Sequence, residues 1–506
     1  MTPRRCALYD AVKLPVCRGK RDLDHLDVLI VGAGISGISG AYYLSTQCPG
    51  KKIAIFEGRD TLGGTWDLFR YPGVRSDSDM YTLGFAFKPW TSDKAIADAS
   101  SIMTYLNETV DEFDLRKLIH YQRKVTHAAW DSKTARWTVT YSAGSDVAPL
   151  TLTCSFLYMC SGYYNYAKGH RPEFAGETDF QGQIIHPQFW PDNLDYSGKK
   201  IVVIGSGATA VTLVPAMASG EGAAGHVTML QRSPTYIVSA PGEDGFANWL
   251  RKVLPGKFAY GFIRWRNVLR QMLFYTIARA RPDKVKQQIL DLMVPDLPEG
   301  FDIATHFTPS YKPWDQRICL VPDSDLFVAI KAGKASVETD HIDRFVETGI
   351  ALKSGKTLPA DIIITATGIE LQILSGMEVM VDGQRVDFGD TFSYKGMMYS
   401  GVPNMASAFG YTNASWTLKA DLTAEYVCRL INHMDATKTT ACRPIMHGAN
   451  PKAAPWLDFT SGYVTRAMDK FPKQGDVAPW KVHQNYALDL MAFRFGKLDD
   501  GVMRFG

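Results

Sequence analysis

The chain has 506 residues, carries 55 Lys and Arg against 52 Asp and Glu, and is 46% hydrophobic and 12% aromatic. That length holds several domains and a large buried core, and a net charge of +3 lacks the basic surplus that nucleic-acid binding needs. The eight cysteines, at 6, 17, 48, 154, 160, 319, 428 and 442, contain no C-x-x-C, which predicts reduced thiols, no zinc site and no disulfide framework.

Residues 1–23 hold Arg4, Arg5, Arg18, Lys20 and Arg21 but no apolar run of the kind a secretory peptide needs. They read as a flexible extension. No window of about eighteen uncharged apolar residues follows, so no transmembrane segment is expected and the expected location is cytoplasmic.

An apolar strand over 27–31 then runs into Gly32-x-Gly34-x-x-Gly37 and an apolar helix. In such a turn the first glycine permits the bend, the second lets backbone approach a pyrophosphate, and the third lets the helix pack on the strand. The helix start, with Ser36, offers free N–H groups and a positive dipole end to phosphate. Further on, a strand over 52–56 ends at Glu57, about twenty residues past Gly37, where an acid meets ribose hydroxyls. The plain alternative is a structural turn with a surface Glu; strand, turn, helix and acid in that order favour a nucleotide site.

Gly63-Gly64-Thr65-Trp66-Asp67 and Arg70-Tyr71-Pro72-Gly73-Val74-Arg75-Ser76-Asp77 come next. Their Gly-Gly and Pro-Gly pairs mark loops, where sites are built. Stretches over 121–130 and 137–141 read as meander strands, and 156–159 as a strand ending in Cys160-Ser161-Gly162. A fuller version of that ending, Ala366-Thr367-Gly368, closes a strand over 361–365.

Between these two endings lies a connector, Phe180-x-Gly182-x-x-x-His186-x-x-x-Trp190-Pro191, and then a second strand and turn. A strand over 200–204 enters Gly205-Ser206-Gly207-Ala208-Thr209-Ala210-Val211, and the strand after it ends at Gln231-Arg232. The acid of the first turn is here Gln231, followed by a cation. A 2′-phosphate is repelled by Glu and accepts a fork of hydrogen bonds from Arg232, which predicts NADPH over NADH.

Residues 246–300 switch to helical periodicity. Phe258, Phe262, Trp265, Leu269, Met272 and Ile277 fall at three- and four-residue steps, interleaved with Arg264, Arg266, Arg270, Arg279 and Arg281. The expected arrangement packs the apolar stripe on its own domain and leaves the arginines solvated. Peripheral membrane contact by the basic amphipathic segment 257–281 stays open.

Two glycine turns in strand–turn–helix context, with F-x-G-x-x-x-H-x-x-x-W-P between them, resemble the fingerprint of the flavin-dependent Baeyer–Villiger monooxygenases. The resemblance runs from about residue 24 to residue 505. It implies an α/β fold of two dinucleotide-binding, Rossmann-like domains, the NADP domain inserted in the FAD domain. The FAD domain would comprise 24–165 and 370–506, and the NADP domain 166–369 with a helical insertion over about 243–310. In that family Thr65, Trp66, Asp67 and Leu68, with Arg75 and Ser76, fall on the flavin, backbone at Val125 touches the adenine, and Asp77 is an active-site carboxylate. Tyr311-Lys-Pro-Trp314-Asp315-Gln316-Arg317 ends in the active-site arginine, Arg317. Gln316 stands where the family carries Lys, so the nucleotide phosphate rests more on Arg232. Phe180, Gly182, His186 and Trp190 would link the domains during closure without transferring protons. The tail, with Gly462-Tyr463-Val464 and Gln484-Asn485-Tyr486, resembles one branch of the family that also oxidises thioethers and thioamides.

The implied chemistry uses FAD, NADPH and O2. NADPH reduces the flavin, O2 is captured as a flavin peroxide, and the peroxide attacks a ketone to give an ester or lactone. Arg317 would stabilise the anions and Asp77 would orient it. Two alternatives remain: a flavin monooxygenase acting mainly on sulfur or nitrogen, and a non-catalytic flavin-binding redox sensor. Which ketone or sulfide is used is not legible, because the pocket walls come from loops.

Overall fold

The computed structural model describes residues 24–144, 148–446, 451–457 and 459–506. The extension expected over 1–23 lies outside them.

The fold is built on two sheets. At the heart of the first, His25–Val31 lies between Ile53–Phe56 and Leu150–Met159, parallel to both. Val28, Leu29 and Ile30 are all fully buried, because the strand is covered on both faces. That is why it reads as a continuous apolar run with no alternation. The antiparallel meander Arg123–Asp131 and Arg136–Ala143 extends the sheet from Leu150–Met159. Helix Ile35–Gln47 covers one face and packs against the long helix Trp416–Thr437. Between them the Ser39 hydroxyl donates to Asp421 Oδ1 at 2.7 Å.

The second sheet has five strands in the order Ala335–Thr339, His226–Gln231, Lys200–Ile204, Ile362–Thr365, Gln183–Ile185. All pairings are parallel. Every one of these strands lies between residues 183 and 365. The chain leaves the first sheet through Tyr164–Gly169 and returns through Ile369–Leu371, and these two segments pair antiparallel. A two-stranded ribbon therefore ties the sheets together. The connector contributes the edge strand Gln183–Ile185, in register with Ile362–Ile364.

Helices Gly245–Val253, Gly256–Ala280 and Pro282–Met293 fill the region of helical periodicity. Their orientation differs from expectation. Phe258 is 76% exposed, and Phe262 and Leu269 are each 56% exposed. The side turned inward is mixed, with Tyr260, Ile263 and Val268 buried beside Arg264 and Asn267. Arg264 donates to the carbonyls of Tyr81 at 2.8 Å and Gly84 at 2.7 Å, and pairs with Asp421 at 3.4 Å. Asn267 and Gln271 each donate to the Asp79 carboxylate at 2.9 Å. A buried carboxylate and loop carbonyls demand donors, and Arg264, Asn267 and Gln271 supply them from the same side that buries Tyr260, Ile263 and Val268. Arg270 and Arg281 do stay exposed, as expected. No helix among the described residues is long and apolar enough to cross a membrane.

Candidate functional site

Both glycine turns open onto one cavity of about 1170 Å³, placed at the carboxyl ends of parallel strands, where open α/β sheets bind ligands. On the first turn Gly32, Gly34 and Ser36 line the wall. Gly37 does not; a Cβ there would stand 1.9 Å from the Gly32 carbonyl oxygen, so the residue serves the contact of helix with turn. Gly34 faces Gly64, whose own Cβ would lie 3.2 Å from the Gly34 Cα, and Gly64 has φ +57°. Two bare backbones thus flank a slot that side chains would fill.

Glu57 is buried on the same wall. Its Oε2 accepts from the Ala33 N–H at 2.8 Å and its Oε1 from the Arg59 N–H at 2.9 Å. Ser36 Oγ accepts from the Trp416 indole N–H at 2.8 Å. Thr65, Trp66, Leu68, Arg75, Ser76 and Val125 also reach the cavity. Thr65 Oγ1 lies 3.3 Å from the Tyr166 hydroxyl. Asp67 is set back from the wall, its carboxylate 2.6 Å from Arg59 and 3.6 Å from Arg70.

On the second turn Gly205, Ser206, Gly207, Ala208, Thr209 and Val211 line the cavity, while Ala210 is buried in the core behind it. The Gln231 amide donates to the His306 carbonyl at 2.7 Å and Thr339 Oγ1 at 2.9 Å. Its buried Oε1 has no partner among the described residues. Arg232 reaches the cavity exposed and makes no ion pair among the described residues. Arg466 reaches the same cavity. Burial, and then the positive charge of Arg232, lowers its pKa. Two guanidiniums that repel each other across a cavity form a place for an anion.

Arg317 and Asp77 meet on the cavity wall as a bidentate pair, Nε–Oδ2 2.8 Å and Nη2–Oδ1 3.1 Å. The Asp77 charge is the main cause that raises the guanidinium above its ordinary value, so Arg317 is a permanent cation. The loop bearing Asp77 is fastened by Arg75, which pairs with Asp325 at 2.5 Å at the start of helix Asp325–Lys331. Tyr163, Tyr164 and Tyr463 share the cavity with the pair. Burial raises the Tyr163 phenol well above its ordinary value and pushes Tyr463 up to about 12. The Cys319 thiol on the same wall is likewise pushed up to about 12 by burial. These groups are neutral near pH 7 and supply no thiolate nucleophile. Among the described residues no group of His, Cys, Asp and Glu could hold a metal ion.

The four connector residues stand away from the cavity. A Cβ at Gly182 would meet the Asp361 carbonyl oxygen at 2.2 Å. His186 Nδ1 accepts from the Gln188 N–H at 3.2 Å, and burial lowers its pKa. Its ring lies where a Cβ on Gly169 would be, 2.2 Å from Cε1. Gln188 in turn donates to the carbonyls of Asn165 at 2.8 Å and Tyr166 at 3.0 Å. Phe180 and Trp190 pack into apolar clusters of the second sheet. The segment therefore clamps the ribbon to that sheet. Sequence reasoning missed Tyr163, Tyr166, Trp416, Tyr463 and Arg466 on the wall. The one local signal was the run Tyr163-Tyr164-Asn165-Tyr166 directly after Gly162.

Comparison with known proteins identifies the family and the fold. The family model described as flavin-binding monooxygenase-like matches residues 25–386. The chain is 54% identical over 482 residues to the FAD-containing monooxygenase EthA of Mycobacterium tuberculosis, covering 95% of this chain and 98% of that one. It is 51% identical to the probable FAD-binding monooxygenase AlmA of Acinetobacter baylyi over 484 residues, 95% and 96% of the two chains. Among solved structures, an oxidised steroid monooxygenase bound to NADP superposes with TM-score 0.70 at 23% identity, over 83% of this chain and 87% of that one. A cyclohexanone monooxygenase from Rhodococcus sp. Phi1 bound to NADP+ superposes with TM-score 0.69 at 21% identity, over the same shares. At such identities the superpositions speak for the fold, α/β with two dinucleotide-binding sheets. The family match and the 54% identity to a full-length relative carry the assignment: this chain belongs to the flavin-binding monooxygenase-like family.

Proposed function

We propose that the chain holds FAD on its first glycine turn and NADPH on its second, and performs a Baeyer–Villiger oxidation. A ketone, O2, NADPH and a proton give an ester or lactone, NADP+ and water. The observation that carries this reading is the Arg317–Asp77 pair on a cavity wall shared by both turns. The slot between Gly34 and Gly64 fits a pyrophosphate, and Arg232 with Arg466 fits a 2′-phosphate. Residues 24–165 and 370–506 are read as the flavin-holding part and 166–369 as the nicotinamide-holding part.

Bound flavin and nicotinamide would supply the redox chemistry that activates O2 for transfer of one of its oxygen atoms. The protein's share is electrostatic. Arg317 holds a permanent positive charge where negative charge develops on the reacting oxygens, an arrangement that needs no reorganisation during the reaction. Asp77 fixes the guanidinium plane through two hydrogen bonds and offsets its charge in the resting site. The neutral Tyr163, Tyr463 and Cys319 add no competing anion. The same site passes oxygen to a thioether or thioamide sulfur, and small ketones and sulfides are the proposed substrates.

The test is product analysis with purified protein, NADPH, and a panel of linear, cyclic and aryl ketones plus thioethers. Esters are expected from ketones and sulfoxides from thioethers. Arg317→Ala should keep its yellow flavin and NADPH-driven reduction and lose ester formation by about 10²–10³-fold. Ester formation at the wild-type rate would remove Arg317 from the mechanism. NADPH consumption that ignores every ketone and thioether would favour a redox sensor.

A further inference from the structure

Helix Gly256–Ala280 turns a mixed side inward and an apolar stripe outward, on which Trp265 meets Tyr486 at 5.6 Å between ring centres while its neighbours stay open among the described residues. Phe258, Phe262, Trp265, Leu269 and Leu273 recur at steps of four, three, four and four residues, all exposed. They form one stripe along the helix. The preceding helix, Gly245–Val253, presents Phe246, Trp249 and Val253 in the same way. The two stripes touch, with the Phe246 and Phe262 rings 6.3 Å apart. A contiguous exposed patch of large aromatic side chains marks an interaction surface.

Charge identifies the occupant. Residues 245–282 contain no Asp or Glu at all. Lys252, Lys257, Arg270 and Arg281 are exposed and make no ion pair among the described residues. Lys252 and Arg270 flank the apolar stripes by their positions on the helices. A second copy of this chain docking face to face would set Lys252, Lys257, Arg270 and Arg281 against their own counterparts, while the neighbouring acids Asp93 and Asp244 are already held by Arg251 and Arg266, a poor self-complementary surface. A bilayer with anionic headgroups matches both features, since aromatic side chains enter the acyl boundary while Lys and Arg meet the lipid phosphates. The helices fall short of crossing a membrane, so they lie in its plane.

We infer that this chain docks on anionic lipid surfaces through helices Gly245–Val253 and Gly256–Ala280. The far end of the longer helix bears on the site: Tyr275 meets Trp314 at 5.6 Å between ring centres, and Arg279 pairs with Asp315 at 2.8 Å. Both partners belong to the segment that ends in Arg317. Docking thus brings a lipid surface against the scaffold of the cavity without altering the cavity itself.

The experiment is flotation of the purified, full-length, flavin-loaded protein with vesicles of phosphatidylcholine alone or mixed with phosphatidylglycerol. Wild type should float with the mixed vesicles, less at high salt. The triple variant Trp249→Ser/Phe258→Ser/Phe262→Ser should lose at least about a hundredfold in partition on both compositions. Lys252→Glu/Lys257→Glu/Arg270→Glu should lose about a hundredfold on mixed vesicles only. All these positions are exposed, so both variants should keep the flavin spectrum and NADPH oxidation measured without vesicles. Wild type that floats with neither vesicle overturns the inference. So does flotation that neither variant changes, or a dimer in solution that the aromatic variant dissociates while no form binds vesicles.

Discussion

The two glycine turns share a plan and differ in how tightly they are built. The first is closed from behind: Gly37 stands where any Cβ would overlap the Gly32 carbonyl. Glu57 is held by two backbone N–H groups, and the helix after the turn is pinned through Ser39 to Asp421, itself paired with Arg264. The second is looser. Its third small position is Ala210, its helix packs through its own apolar side chains Leu213, Val214 and Met217, and Arg232 extends exposed into the cavity. A group that stays bound through many turnovers suits the first construction, and one that enters and leaves suits the second. On the proposed reading, the difference teaches that retention is built behind the phosphate site, in packing, while exchange is built in front of it, in exposed charge.

The largest expected effect tests the closed turn. Gly37→Ala places a methyl 1.9 Å from the Gly32 oxygen, and backbone cannot yield that far without the turn opening. We expect a loss of about 3 kcal/mol or more in stability and protein that elutes colourless, read by absorbance during purification. Ala210→Gly on the second turn should keep the flavin colour unchanged. If both variants retain flavin equally, the contrast between the turns is wrong.

Arg232→Ala comes next. It removes a charge-assisted fork, worth about 1.5–3 kcal/mol, so the KM for NADPH should rise about 10- to 100-fold while that for NADH barely moves. Initial rates with both nucleotides check this. Equal changes would show that the 2′-phosphate lies elsewhere, and Arg466→Ala would then carry the larger shift.

A smaller effect concerns the buried charge behind the first turn. Burial raises the Asp421 carboxyl to about 6, against the opposing pull of Arg264. The unfolded chain releases this proton at about 3.9. Between those two values the folded state binds more protons than the unfolded one, so this group's contribution to stability falls as pH rises through the window and is flat above it. Thermal unfolding at pH 4.5, 5.5 and 6.5 should therefore show the difference between wild type and Asp421→Asn shrinking as pH rises. A difference that grows with pH would reverse the assignment of the raised carboxyl.

Much of this contrast was legible in residue order. Strand, turn, helix and acid are local patterns, and Ile53–Phe56 and His226–Gln231 end where the motif places Glu57 and Gln231. The direction of the stripe on helix Gly256–Ala280 was not legible. Periodicity shows that a face exists; which way it turns was decided by Asp79 and Asp421, the latter far along the chain. Arg466 and Tyr463 reach the cavity from a short helical turn near the C-terminal end, and no local spacing marks them. Asp67 sits inside a recognisable loop, yet Arg59, eight positions earlier, draws its carboxylate off the wall. Contacts between segments that no local spacing marks placed these side chains.

The smallest expected effect is also the most local. Gly207 has φ −80° and a Cβ there would meet nothing within 4 Å, so Gly207→Ala should leave the fold and the flavin as they are. Yet Gly207 lines the cavity at the start of helix Ala208–Ala218, where free N–H groups would meet a bound anion. A methyl in that space pushes a pyrophosphate back by a fraction of an ångström, which weakens its hydrogen bonds without abolishing them. We expect the KM for NADPH and for NADH to rise together by about three- to tenfold, close to 1 kcal/mol. That shared shift separates the proposed pyrophosphate contact from the proposed 2′-phosphate contact of Arg232, whose loss should move NADPH alone. An unchanged KM for both would place the nucleotide away from this turn, and the looser construction of the second sheet would then need another explanation.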